Sequence, residues 1–444
     1  MSRLVRIAST IVAVAAATAL TSRLARANGA FPESFQLMAP ADRPNQLILA
    51  TNFGVILSDD AGATWTWTCE RKDTTDQGYL YTVGPAPADR LFSVSPSAGL
   101  AYSNDESCTW ARAGGTLDPI VASDVWPDPT DATKVYAIAA KNDGSEPPSI
   151  YMSTDGGLTF GAPIYTAPAD GILQGIESAR SDPMTIYGAM YRNEKTDASE
   201  TVVVPEILRS VDGGATWMTI DVSASLGNNF FYIVAVDPKD ATTLTARVIE
   251  AGVERLAISH DGGQTFEAAA SLPNGTFTAY AHLASGTILA AGFVVADAKG
   301  FRSTDGGKTF VDWPVPHLRA LAERDGKLWA AAKNFTDGWA IGVSTDEGVT
   351  FQPVAGYSDV KAIRACAQAV CETSCVRQAG TGVWNVAICD GADGGSSDGG
   401  APPPAKSGCG CSASGAKPGA ALGVFMLAAA ALAARRRSRA RRRS

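Results

Sequence analysis

An eight-residue pattern, Ser-x-Asp-x-Gly-x-Thr-aromatic, recurs seven times along this chain and limits its fold more than any other feature. It reads SDDAGATW at 58–65, SNDESCTW at 103–110, STDGGLTF at 153–160 and SVDGGATW at 210–217. It continues as SHDGGQTF at 259–266, STDGGKTF at 303–310 and STDEGVTF at 344–351. Each position has a physical duty. A short side chain such as Asp155 can accept hydrogen bonds from backbone N–H groups ahead of it and so fix a tight turn. Gly157 supplies a positive φ that side chains resist. The Thr and the aromatic residue open the next strand, with the ring anchoring the turn against its own sheet. In the second copy Ser107 replaces the glycine, so that turn is expected to be the most strained or most altered of the set.

The stretches between copies repeat as well. VWPDPTDATKVYAIAA, SARSDPMTIYGAMY and VAVDPKDATTLTARV each give a short strand, an Asp-Pro turn and a second β-rich strand, and a third strand leads into the next copy. One unit is therefore strand A, Asp-Pro turn, strand B, loop, strand C, Ser-x-Asp turn, strand D. The pattern aspartates Asp60, Asp105, Asp155, Asp212, Asp261, Asp305 and Asp346 lie 45, 50, 57, 49, 44 and 41 residues apart. Periods of this size with four strands each predict an all-β, seven-bladed β-propeller of four-stranded blades. A lone sheet cannot bury both faces, and stacking blades around an axis creates the core. The blades are placed near 34–69, 78–112, 118–163, 171–220, 228–269, 276–313 and 316–355, within a propeller domain at 28–357.

The seven turns resemble the BNR or Asp-box repeats of sialidases, xyloglucanases, sortilin-type receptors and photosystem II stability factors. The resemblance covers about 325 of the 444 residues. It implies a propeller with the boxes on the blade periphery, away from the ligand face, and so a structural role for the seven aspartates. It does not imply an activity. A sialidase-like site needs an arginine triad, and the segment APADRPNQLILAT places Arg43-Pro44 where an Arg-Ile-Pro motif would stand. Arg209 and Arg302 directly precede boxes, at the wrong end of strand C for a ligand site. A xyloglucanase-like site would need two carboxylates facing a cleft, and the glycine-rich acidic motif of those enzymes is not found in TNFGVILSDD. His260, His282 and His317 are the chain's three histidines and form no Ser–His–Asp or metal pattern. No cofactor, metal or catalytic residue is assigned.

The two ends have their own logic. Arg3 and Arg6 precede the apolar stretch Ile7 to Leu20, and Ala25-Arg26-Ala27 offers a cleavage site, so residues 1–27 read as a signal peptide and Asn28 as the mature start. Residues 390–408 (DGADGGSSDGGAPPPAKSG) lack the apolar content to pack and read as a flexible linker. Residues 409–444 combine Cys409-Gly410-Cys411, an apolar run at 418–434 and seven arginines. Seventeen apolar residues are the short limit for a transmembrane helix, and the arginine block belongs on the cytoplasmic side. This tail resembles the myxobacterial C-terminal sorting domain (MYXO-CTERM). The resemblance implies processing at Cys409 or Cys411 and retention at the cell surface, with the membrane as one partner. Between the two arginine-bearing ends, 26 basic residues face 45 acidic ones, a net charge of about −19 that repels nucleic acid.

Cys366, Cys371, Cys375 and Cys389 cluster just after the last blade and are expected to pair among themselves in a disulfide-rich cap at 358–389, by one of three connectivities. Cys69 and Cys108 are then left to each other. Their positions in adjacent blades, at opposite ends of outer strands, make that span demanding.

If Asp-Pro turns and boxes share one face, the B–C loops and D–A connections form the other. The longest B–C loops are expected at 140–149 and 191–204. Trp126, Phe231, Tyr232 and Tyr280 are read as standing at inner-strand entrances beside them, with Phe231 better explained by core packing. Trp126, Arg192, Tyr232 and Tyr280 are the candidate ligand face. The favoured expectation is a non-catalytic, monomeric cell-surface propeller that binds a protein or glycan. A glycan-cleaving enzyme or a purely structural envelope component are the alternatives.

Overall fold

The computed structural model describes residues 32–69, 80–95, 99–117, 121–141, 144–195 and 201–390. The proposed signal peptide, the linker beyond residue 390 and the tail with Cys409, Cys411 and residues 418–434 lie outside the described residues. Among those described, no helix is long and apolar enough to cross a membrane.

Seven antiparallel sheets succeed one another around a ring. Each takes four strands from one continuous stretch: 34–68, 80–112, 121–166, 171–221, 230–273, 275–312 and 318–355. The seven-bladed expectation holds, and each Ser-x-Asp turn leads from the third strand of its blade toward the fourth. Blade 3 varies this slightly. The residues after its turn, Thr159–Phe160, pair in parallel with Gly114–Gly115 from blade 2, and strand D forms at Pro163–Thr166.

The middle strands are continuous apolar runs because both of their faces are covered. Leu47–Thr51 and Gly54–Ser58 are buried at every position. The core is consequently a set of seven layers, one per seam between blades. Tyr187, Ala189 and Ile207 of blade 4 meet Phe231, Ala246 and Val248 of blade 5 in one of them.

All seven turns carry the same hydrogen-bond net. In blade 4, Ser210 Oγ donates to Asp212 Oδ1 at 2.8 Å, Thr216 N–H to Oδ1 at 2.8 Å and Thr216 Oγ1 to Oδ2 at 2.6 Å, while Gly214 N–H donates to Ser210 Oγ at 2.8 Å. The Thr216 hydroxyl, then its N–H and Ser210, hold the Asp212 carboxyl down at about 2. Ser107 adopts φ +68° in place of the usual glycine and still donates its N–H to Ser103 Oγ at 2.9 Å. That altered turn gains two long-range links: Ser107 Oγ meets Thr68 Oγ1, and Cys108 forms a disulfide.

The ring is closed by the segment after blade 7. Val360–Ile363 adds to blade 1 as a fifth strand, parallel to Trp65–Thr68. The helix Gln368–Gly380 comes next, and Trp384 packs on Trp67 with ring centres 4.9 Å apart. Disulfides join Cys69 to Cys371, Cys108 to Cys366 and Cys375 to Cys389. This corrects the expected pairing. The four late cysteines do not form a closed set, because the segment lies against blades 1 and 2 and places two of its sulfurs beside Cys69 and Cys108. Arg364 reinforces the same seam, reaching Asp59 of the first turn at 3.0 Å and Glu106 of the second.

Candidate functional site

Six of the seven inner strands carry a register irregularity, between Ala122 and Asp124 in blade 3, for example, and between Leu173 and Gly175 in blade 4. The inner strand is also the free edge of its sheet, so part of its backbone N–H groups have no ladder partner. Side chains from the preceding blade meet that need. Asp124 Oδ2 accepts from Ile176 N–H at 2.8 Å, Glu177 Oε1 from Val236 N–H at 3.1 Å and Glu254 Oε2 from Phe277 N–H at 2.8 Å.

Asp124 and Glu177 share a chamber of about 200 Å³ lined from the inner strands of blades 1 to 5, whose wall includes Gln36, Tyr81, Trp126 and Ile233. Both carboxyls lie deep in the ring while touching this narrow space. Burial pushes Asp124 up to about 6 against the pull of the Ile176 and Val125 N–H groups. Burial likewise pushes Glu177 up to about 7, with a smaller contribution from Asp124. The pair can hold protons near neutrality, and each already serves as a tie to the next blade.

The four residues of the sequence-derived ligand face do not come together. Trp126 stands one residue from the end of its strand, Val121–Pro127, beside the Asp-Pro turn and not at the strand's entrance. Its Nε1 donates to Ser178 Oγ of the next blade at 2.8 Å. Tyr280 is likewise late in Gly275–His282, with its hydroxyl bonded to Thr245 Oγ1 at 2.7 Å and its phenol pushed upward by burial. The entrance reading fails for these two because their strands begin five residues earlier than each ring. Phe231 is fully buried in the blade 4–5 layer. Arg192 lies on the second strand of blade 4, one residue beyond Tyr191, with its guanidinium paired with Glu194 at 2.6 Å and Glu206 at 2.9 Å.

Tyr232 does stand on the loop face. There the second and third strands of blade 4, Ile186–Lys195 and Thr201–Ser210, run ten residues each. At the seam with blade 5, Phe230 is 38% exposed and meets Tyr191 edge-on at 4.7 Å. Gln174 Nε2 donates to the Tyr191 hydroxyl at 3.2 Å. The guanidinium of Arg247 lies 5.0 Å from the Tyr232 ring centre, and its Nη1 donates to Phe277 O at 3.1 Å. Sequence reasoning missed Tyr191, Phe230 and Arg247. The signal available was one arginine in the middle of the LTARVIE strand, paired with the FFY run.

On the opposite face the arginines act as struts. Arg90 reaches the backbone of the blade 3 turn at Asp155, the guanidinium of Arg209 lies against Gly262 of the blade 5 turn, and Arg302 pairs with Glu347 of the blade 7 turn at 3.1 Å.

No protein-family model matches the sequence, and no curated protein does. Solved structures with a similar fold include an ancestral GH74 enzyme, at 11% identity over 75% of this chain and 55% of that one, with a TM-score of 0.39. YCF48 from Cyanidioschyzon merolae is 15% identical over 67% of this chain and 92% of that one, with a TM-score of 0.46. A puromycin-hydrolyzing peptidase from Mycobacterium tuberculosis is 11% identical over 75% of this chain and 54% of that one, with a TM-score of 0.50. The chain thus spans only about half the length of the first and the third. At such identities the likeness concerns fold alone. By its own sheets and seams, the chain is a seven-bladed β-propeller closed by a disulfide-bonded C-terminal segment.

Proposed function

We propose that this chain is a non-catalytic recognition propeller, exported and held at the cell surface, that binds a protein or glycan on its loop face. The observation that carries the reading is the loop end of blade 5, where the Tyr191–Phe230 pair at the seam with blade 4 and the Tyr232–Arg247 pair toward blade 6 lie next to the longest strands of the ring. Aromatic rings with an arginine among them are the composition of binding hot spots. The Asp-box and MYXO-CTERM resemblances, the signal-like N-terminus and the three disulfides favour an extracellular place for that face. The experiment is a glycan microarray and a pull-down from envelope extracts, run with the wild type and with Phe230→Ala/Tyr232→Ala. Loss of the captured partner or glycan in the double variant at unchanged melting temperature supports the site. Capture that survives the double variant rejects it.

A glycan-cleaving reading draws on one specific feature, the Asp124 and Glu177 carboxyls in their chamber. Release of sugar from envelope polysaccharide by the wild type, abolished in Glu177→Gln, would establish that reading instead.

A further inference from the structure

A second surface lies on the loop face, at the seam of blades 6 and 7. Phe293, near the end of Ile288–Val294, is surrounded by three basic side chains. Lys333 Nζ lies 4.5 Å from its ring centre, the Arg319 guanidinium 5.6 Å, and the His317 ring stacks at 5.7 Å and 28°. The contacts of His317 favour its cationic form, and the hydrogen bond to Asp337 raises its pKa from the ordinary value. Nδ1 faces Asp337 Oδ1 at 2.9 Å and Nε2 faces Ala296 O at 2.8 Å, and only an imidazolium has an N–H for both. Arg319 is paired with Glu33 at 2.7 Å. Asp337 and Glu33 thus answer His317 and Arg319, and of the three basic groups around Phe293 only the Lys333 ammonium pairs with no carboxylate among the described residues.

Two exposed apolar side chains flank these charges. Val295, at the tip of the blade 6 hairpin, is 93% exposed and holds φ +58°. A β-branched residue is a true outlier in that region. Phe335, in the short helix Asn334–Asp337, is 44% exposed. One imidazole ties both to the cluster, since Ala296 follows Val295 and Asp337 is two residues after Phe335.

We propose that this seam docks an acidic polypeptide segment bearing apolar side chains, with Lys333 taking a carboxylate while Val295 and Phe335 take the apolar groups. A polyuronate would satisfy the charge but leave Val295 and Phe335 uncovered, and the Phe293 face is already occupied by cations, so no sugar can stack there. The surface is separate from the blade 4–5 seam and does not depend on it.

The test uses the full-length protein and a fluorescent 12-residue peptide of alternating Glu with Leu and Phe. A Gln-for-Glu counterpart and polygalacturonate serve as the other probes. The acidic peptide should bind, and the Gln peptide should bind at least about tenfold more weakly. Lys333→Glu should weaken binding about tenfold or more. Val295→Gly should do the same while raising the melting temperature, because glycine accepts the left-handed φ. Phe230→Ala/Tyr232→Ala should leave peptide binding unchanged. Equal binding of the two peptides, undiminished binding by Lys333→Glu or Val295→Gly, or binding of polygalacturonate in place of the peptide would each overturn the proposal.

Discussion

The sulfur of Cys108, inside the second Ser-x-Asp turn, is bonded to that of Cys366, 258 residues further along the chain. With Cys69–Cys371 beside it, this bond makes the closing segment part of blades 1 and 2. Removing a native disulfide typically costs about 2–5 kcal/mol. Cys108→Ser/Cys366→Ser should therefore lower the melting temperature clearly. Cys375→Ser/Cys389→Ser, which opens a loop of only 14 residues, should lower it less. Calorimetry of both variants under non-reducing conditions checks the order.

The turn aspartates set the acid limit of the fold. Asp60, Asp155, Asp212, Asp305 and Asp346 are all held near 2, below their ordinary value of 3.8. A depressed carboxyl contributes stability that is complete above the unfolded value and is lost as pH falls through the folded one. Five such groups acting together should give a steep loss of stability between about pH 4 and pH 2. Asp261→Ala, which strips Ser259, Gln264 and Thr265 of their acceptor, should shift the wild-type curve downward above pH 4 by on the order of 2 kcal/mol and leave peptide or glycan binding intact. Urea titrations from pH 2 to 7 read both effects.

The chamber carboxyls act with the opposite sign. Asp124 is raised to about 6 and Glu177 to about 7, so the folded state favours their protonated forms. The stability they contribute is present at low pH and declines as pH rises from about 4 toward 7. In Glu177→Gln the amide oxygen can still accept from Val236 N–H, and no charge remains to be buried. That variant should lose the part of the decline that Glu177 contributes, keep the part due to Asp124, and be at least as stable as the wild type at pH 8. A drop in stability at pH 8 would show that the Glu177 charge is needed.

Two adjacent glycines in the sixth turn separate conformation from packing. A Cβ on Gly306 would meet nothing within 4 Å, whereas one on Gly307 would stand 2.1 Å from Ile258 Cδ1 of the neighbouring blade. Both hold positive φ, +75° and +86°. Gly306→Ala should cost only the left-handed backbone penalty, about 1–2 kcal/mol. Gly307→Ala should add an overpacking cost of about 1–3 kcal/mol. Chemical denaturation of the pair measures the difference.

The turns were legible in sequence because their chemistry is local: Ser210, Asp212, Gly214 and Thr216 satisfy one another within seven residues. Blade number and strand order came from their spacing. Ring closure was not legible, since Cys69 and Cys371 are 302 residues apart and nothing near either one names the other. The seams were equally hidden. That Asp124 reaches Ile176, or that Arg247 covers Tyr232, depends on bulges and blade twist, which place a side chain beside a neighbour that periodicity does not identify. Trp126 shows the limit most directly, for the bounds of its blade were close while the end of the strand at which the ring stands, and so the face it joins, was not.

Because the bonded partners of Cys69 and Cys108 come so late, the order of synthesis leaves a chemical trace. A chain growing from its N-terminus holds both thiols unpaired until Cys366 and Cys371 have emerged. A product that ends between Cys108 and Cys366 therefore displays two sulfurs that the finished protein has consumed. Thiol reagents thus have a direct means of telling a ring that has its closing segment from one that does not.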